Sequence, residues 1–246
     1  MSRYIESFKE KIFEIIEKVV NEESPKILEA ADLVTECLSK DGFIYVFGAG
    51  HSMILALDIF YRAGGIAQVY PMLDLSISAY NGALKSTMLE KLVGYGKVLV
   101  EYYNLKENSI LILVSNSGNS VVPVEVALEA KRRGAKVIAL TSVKYSQSLP
   151  VANPFNKKLY EVADVVIDNK MPPGDAVIEV EGTSRKVAPV STIINSFILQ
   201  SLVATIVDKM LSKGTMPAVW LSAHLPGAEE TNKWIIEKYF EKIKPL

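Results

Sequence analysis

The chain has 246 residues, 49% apolar and 22% charged, with a formal net charge of -1. That is enough for one large α/β domain with a sizeable core, and the lack of any basic block speaks against nucleic-acid binding and against a cationic membrane-surface helix. Cys37 is the only cysteine, which rules out an internal disulfide or cysteine-cluster metal site and fits a cytoplasmic protein.

The N-terminal stretch MSRYIESFKEKIFEIIEK carries charges at every turn and reads as neither a signal peptide nor a membrane span. Residues 4–20 set Ile5, Phe8, Ile12, Ile15, Ile16 and Val19 at helical spacing, and a second helix is expected from Pro25 to Ser39 with proline in its first turn. A short apolar run at 43–47 stops at Gly48 and predicts a buried parallel strand, followed by a helix over 52–62. Further strands are expected at 67–70, 110–114, 136–140 and 165–168. Helices are expected over 83–103 (broken at Gly94 and Gly96), 121–133 (stopped by Gly134), 191–212 and 229–242. The stretch 170–190, rich in proline and glycine, reads as a long loop with one short strand at 176–180.

Strands alternating with helices predict a three-layer α/β sandwich, a central parallel sheet flanked by helices. With no repeat and no linker, residues 1–246 are expected to form one domain, with a helical pair in 1–40 and a helical extension in 215–246. In such sheets ligands bind beyond the carboxyl ends of the strands. Two loops there stand out: Gly48-Ala49-Gly50-His51-Ser52, and Ser115-Asn116-Ser117-Gly118-Asn119-Ser120. Each opens a helix, where unpaired N–H groups and the helix dipole favour an anion such as phosphate. Serine and asparagine are also ordinary helix caps. Neither loop is a Rossmann GxGxxG or a Walker loop, so a phosphomonoester fits better than a nucleoside triphosphate.

These loops resemble those of the sugar isomerase (SIS) domain family, with its GxGxS loop after one strand and SxSGxS/T loop after a later one. The resemblance continues through Glu125, Ala127, Ala130, Lys131 and residues 137–142, and spans most of residues 30–215. It implies a flavodoxin-like sheet and a sugar phosphate as ligand, held by Gly50, Ser52, Ser115, Asn116, Ser117 and Ser120 with a later pair, Ser191 and Thr192. Within the family the chain looks similar to bacterial single-SIS proteins related to phosphoheptose isomerases and N-acetylmuramic-acid-6-phosphate etherases. The family also implies a homodimer or homotetramer with sites shared between subunits.

Isomerisation and etherase chemistry both need an acid–base residue. The candidates are His51, inside the first loop; Glu90, in the region where etherase-like relatives carry a catalytic glutamate; and His224, which would reach a neighbouring site. Each has a plain alternative: His51 bonding the loop backbone, Glu90 as an exposed helix glutamate paired with a lysine. Asp58 lies four residues before Arg62, as in an i,i+4 pair, and many relatives carry an acidic residue near Arg62 where this chain does not. Glu125 is placed to orient either a sugar hydroxyl or the loop. Neither a metal nor an organic cofactor is expected, since two distant histidines and one cysteine make no zinc set. An enzyme acting on a phosphorylated sugar or amino sugar is the leading reading, and a phosphosugar sensor regulating a protein partner the alternative.

Overall fold

The computed structural model describes residues 3–246. It opens with one 37-residue helix, α1 (Arg3–Ser39), with Pro25 inside it. The two helices expected from the sequence are therefore one. Proline removes a hydrogen bond and costs about 3 kcal/mol in a helix interior. Ile15 and Val19 before it, and Ile27, Ala30, Val34 and Leu38 after it, are all buried on one face. At about 1.5–3 kcal/mol for each large side chain, that burial outweighs the proline.

The sheet follows: β1 (Ile44–Gly48), β2 (Val69–Pro71), β3 (Ile110–Val114), β4 (Lys136–Thr141) and β5 (Val165–Asp168). All neighbours pair parallel, in the order β2-β1-β3-β4-β5. β1 and β3 are buried at every residue, because helices cover both faces. One face packs Ile44, Val46, Ile112 and Leu140 against α1, α2 (Met53–Ile59) and α8 (Ser191–Ser212). The other packs Tyr45, Phe47, Leu111 and Val137 against α4 (Tyr95–Tyr102), α5 (Val121–Arg132) and α9 (Ala228–Tyr239). The alternation of side chains along each strand thus builds two cores and three layers.

Several boundaries differ from the sequence reading. The 83–103 helix splits into α3 (Ala83–Leu89) and α4, with Gly94 in the left-handed region at φ 91°. Two short helices unmarked in the sequence, α6 (Val143–Ser148) and α7 (Leu159–Val162), follow β4. The expected loop at 170–190 contains an antiparallel hairpin, β6 (Ala176–Glu179) with β7 (Lys186–Pro189). β6 is the short strand expected at 176–180; β7 was not expected, and none of its residues is buried, so it leaves no strand-like alternation of apolar residues to read. α8 is the one described helix long and apolar enough to cross a membrane by length and composition, and here Ile194, Ile198, Leu202 and Ile206 belong to the core shared with α1.

Cys37 lies buried at the end of α1, its thiol donating to the Asn108 carbonyl (3.3 Å). Burial pushes this thiol up to about 11. The folded state therefore holds the proton more tightly than the unfolded chain, whose thiol titrates near ~8.5. The associated stability is fully present below about pH 8.5 and is lost as pH rises toward 11. Urea midpoints should fall between pH 8.5 and 10.5 in the natural protein and fall less in Cys37→Val; equal slopes would refute the assignment.

Candidate functional site

The strand order reverses direction between β1 and β3, and at such a switch point the loops after the two strands diverge and leave a crevice. Those are the two loops marked in the sequence. In the first, a Cβ on Gly48 would meet the Ser52 carbonyl oxygen at 2.5 Å, so only glycine lets the chain turn back this tightly. Gly50 follows at φ 57°, then a single turn of 3-10 helix brings Ser52 to the start of α2. The His51 side chain is exposed.

The second loop is held from below. Ser115 Oγ accepts the Gly118 N–H (3.2 Å), and the Gly118 carbonyl accepts the Leu159 N–H (2.8 Å). Asn119 is buried and faces away from the crevice, donating to the Pro150 carbonyl (2.8 Å) and accepting the Ala152 N–H (3.0 Å). Among the described residues, the N–H groups of Ser117, Asn119 and Ser120 meet no acceptor. Ser120 stands at the N-cap of α5, yet its hydroxyl makes no capping bond. The loop therefore offers a concentration of free donors at the positive end of a 12-residue helix.

Glu90 comes close to this cluster. It caps the C-terminus of α3, it is half-buried, and its carbonyl accepts the Val122 N–H from the first turn of α5 (3.1 Å). No salt bridge to a lysine or arginine is formed by Glu90 among the described residues, which removes the paired-glutamate alternative. Beside Gly50 and His51 a groove of about 600 Å³ opens, lined by Met53, Ile54, Leu57, Leu75 and Tyr80.

The other candidates have structural work. Asp58 pairs with Arg62 and accepts from Ser196 Oγ (2.7 Å) and Gln200 Nε2 (3.0 Å), tying α2 to α8. Glu125 accepts the N–H groups of Gly94 (2.8 Å) and Gly96 (2.8 Å), and so caps α4 rather than facing the crevice. Ser191 lies at the head of α8, but its hydroxyl donates to Asp175 Oδ2 (2.6 Å), while Asp175 Oδ1 accepts the Val190 (3.1 Å) and Ser191 (2.8 Å) N–H groups. A carboxylate already occupies the position that the resemblance assigns to phosphate, and of the pair only Thr192 is exposed.

His224 is not brought to the loops. Its segment returns along the lead-in to β2, with Gly64 N–H on the Trp220 carbonyl (2.8 Å) and Ala67 N–H on the Ala218 carbonyl (2.8 Å). That lead-in lies at the amino end of the sheet, since Val69 pairs with Ile44, the first residue of β1. There His224 lines a hollow of about 300 Å³ with Tyr61, Trp220 and Asn232.

Sequence reasoning missed Asp74, Asn169 and Asn195. Asp74, just past β2, accepts from the Tyr95 hydroxyl (2.6 Å); burial first, then this carboxylate, pushes the phenol up to about 12. Asn169 and Asn195 are buried and touch the Asn116 side chain.

A five-stranded parallel sheet with uncapped serines at its switch point defines an anion-binding domain of the doubly wound class. The chain belongs to the SIS domain family, whose profile matches residues 7–142, a span that includes both loops. It is 43% identical over 240 residues to UPF0309 protein TTE0306 of Caldanaerobacter subterraneus subsp. tengcongensis, covering 96% of this chain and 98% of that one. Among solved structures, a phosphoheptose isomerase from Francisella tularensis superposes with a TM-score of 0.55 at 18% identity, over 85% of this chain and all (100%) of that one. The phosphoheptose isomerase GmhA from Neisseria gonorrhoeae gives 0.54 at 16% identity, over 85% of this chain and 97% of that one. At these identities the two structures establish the shared fold.

Proposed function

We propose that this protein binds a phosphorylated sugar or amino sugar and transforms it by proton transfer, as an isomerase or a related acid–base enzyme. The observation that carries the reading is Ser120, an N-cap serine whose hydroxyl leaves its own helix uncapped. Helix capping alone gives such a residue no reason to stay free, because an unused cap forgoes about 1 kcal/mol. An incoming phosphate would take up the donors of Ser117, Asn119 and Ser120, with Ser52 approaching from the first loop. The sugar would then extend along the groove beside Gly50 and His51.

We assign Glu90 as the acid–base residue. Its backbone is hydrogen-bonded to the first turn of α5, beside the serine loop, and among the described residues it forms no salt bridge. Its carboxylate would take the proton from the carbon beside the sugar carbonyl and return it to the neighbouring carbon. His51, which lines the groove, would assist ring opening. We also infer a homodimer or homotetramer: α1 leaves Ile5, Phe13, Val20 and Leu28 exposed, a stripe that a second copy would cover, and His224 can act only at a neighbour's site.

Thermal unfolding with a panel of sugar phosphates tests this. A ligand at a hundred times its Kd adds about 2.7 kcal/mol, and at roughly 2–4 °C per kcal/mol the midpoint should rise by about 5–11 °C. Ser117→Ala combined with Ser120→Ala should abolish the rise. Glu90→Gln should keep the rise and lose turnover. If no phosphosugar moves the midpoint, the reading fails.

A further inference from the structure

Three asparagines from distant parts of the chain meet behind the serine loop. Asn116 lies in the loop, Asn169 directly follows β5, and Asn195 is one turn into α8. Asn169 and Asn195 are almost fully buried, at 0% and 1% exposure. Their hydrogen bonds fix one another's orientation, starting from a backbone group. Asn169 Oδ1 accepts the Met171 N–H (3.2 Å), so its NH2 must point the other way. That NH2 donates to Asn116 Oδ1 (2.8 Å) and to Asn195 Oδ1 (2.9 Å). Asn195 Nδ2 adds a longer bond to the same Asn116 oxygen (3.4 Å).

The consequence falls on Asn116. Its oxygen is taken by two buried amides, and its backbone carbonyl by the Ser142 N–H (3.0 Å) and the Thr141 hydroxyl (3.3 Å). Of the side chain there remains the NH2, a pure donor on a half-buried residue between Ser115 and Ser117. Were the amide to flip, two NH2 groups would face each other in a dry environment, leaving buried donors unpaired. We infer that Asn169 and Asn195 are positioning residues that lock Asn116 with its NH2 toward the crevice, making the loop selective for ligand oxygens that accept. The inference rests on the phosphate-binding reading of the loop.

Asn169→Asp separates this role from packing. The carboxylate keeps an acceptor for the Met171 N–H but turns an oxygen, not an NH2, toward Asn116, and so drives the Asn116 amide to flip. With inorganic phosphate as the probe, Asn169→Asp and Asn116→Ala should each weaken binding about tenfold, or 1.4 kcal/mol. The double variant should also be about tenfold weaker, not a hundredfold, because Asn169 acts only through Asn116. In the natural protein the Asn116 side-chain NH2 resonances should shift on adding phosphate. In Asn169→Asp they should not.

Should Asn169→Asp fail to fold, Asn195→Asp faces the same Asn116 oxygen from α8 and is read in the same cycle. A hundredfold loss in the double variant, indicating direct repulsion by the new charge, overturns the positioning role while leaving the phosphate site intact. If the natural protein binds no inorganic phosphate, the site reading falls and this inference falls with it.

Discussion

Replacing Lys170 by methionine is expected to destabilise the fold by about 3 kcal/mol, near the lower end of what breaking a buried ion pair costs. Lys170 sits just past β5 with its ammonium 2.6 Å from Glu23, 2.9 Å from Glu22 and 3.3 Å from Asp168. Burial works to lower the lysine's pKa, but the hydrogen bonds to Glu23 and Glu22 and the charge of Asp168 outweigh it and raise it. Methionine would leave Glu23 and Asp168, both largely buried, without a counter-charge.

The same cluster ties the middle of α1 to the sheet, since Glu23 also accepts the Asp168 N–H (3.2 Å). At roughly 2–4 °C per kcal/mol the thermal midpoint should drop by about 6–12 °C. Adding Glu23→Gln, which removes one stranded charge and keeps the acceptor for Asp168, should recover part of the loss. Because the pair is shielded, 0.5 M salt should change the effect little, whereas exposed pairs such as Lys11–Glu14 would be screened. A loss below about 1 kcal/mol would show that the cluster behaves as a surface network.

The sheet was legible because strands covered on both faces must be largely apolar, and the apolar runs at 43–47, 110–114, 137–140 and 165–167 are what such strands require. The two loops were legible for a related reason: serine, glycine and asparagine crowd directly after such runs. What stayed hidden depends on partners far away in sequence. Nothing near Ser191 announces that Asp175, across a hairpin, will take its hydroxyl. Nothing near Glu125 points to the N–H groups of Gly94 and Gly96, about thirty residues earlier. The continuity of α1 through Pro25 is settled by burial against α8 and the sheet, not by local propensity. One signal was available and unused. Asn195 interrupts the apolar face formed by Ile194, Ile198, Leu199 and Leu202, and a buried amide inside an apolar helix must find partners.

The two glycines with positive φ in the site loops should respond very differently to alanine. Gly118 has φ 53°, and a Cβ there would meet Thr141 Oγ1 at 2.9 Å and Leu159 Cβ at 3.0 Å. The first contact is a hydroxyl already bonded to the Asn116 carbonyl; the second belongs to a fully buried leucine. Neither can yield without moving the loop. Left-handed strain of about 1–2 kcal/mol adds to an overpacking cost of about 1–3 kcal/mol, so Gly118→Ala should lose about 3 kcal/mol of stability. Gly50 has a similar φ of 57° but open space around the Cβ position, and Gly50→Ala should cost only the strain of about 1–2 kcal/mol. The contrast should extend to binding. Gly118→Ala displaces the N–H groups of Ser117 and Asn119 and should weaken phosphosugar binding by more than tenfold. Gly50→Ala should stay within a few-fold, because the added methyl meets open space and displaces no neighbouring group. Denaturant titration and isothermal calorimetry on both variants decide the matter. Equal losses of binding would mean that the two loops hold the phosphate equally, and a tight-binding Gly118→Ala would move the anion site away from the head of α5.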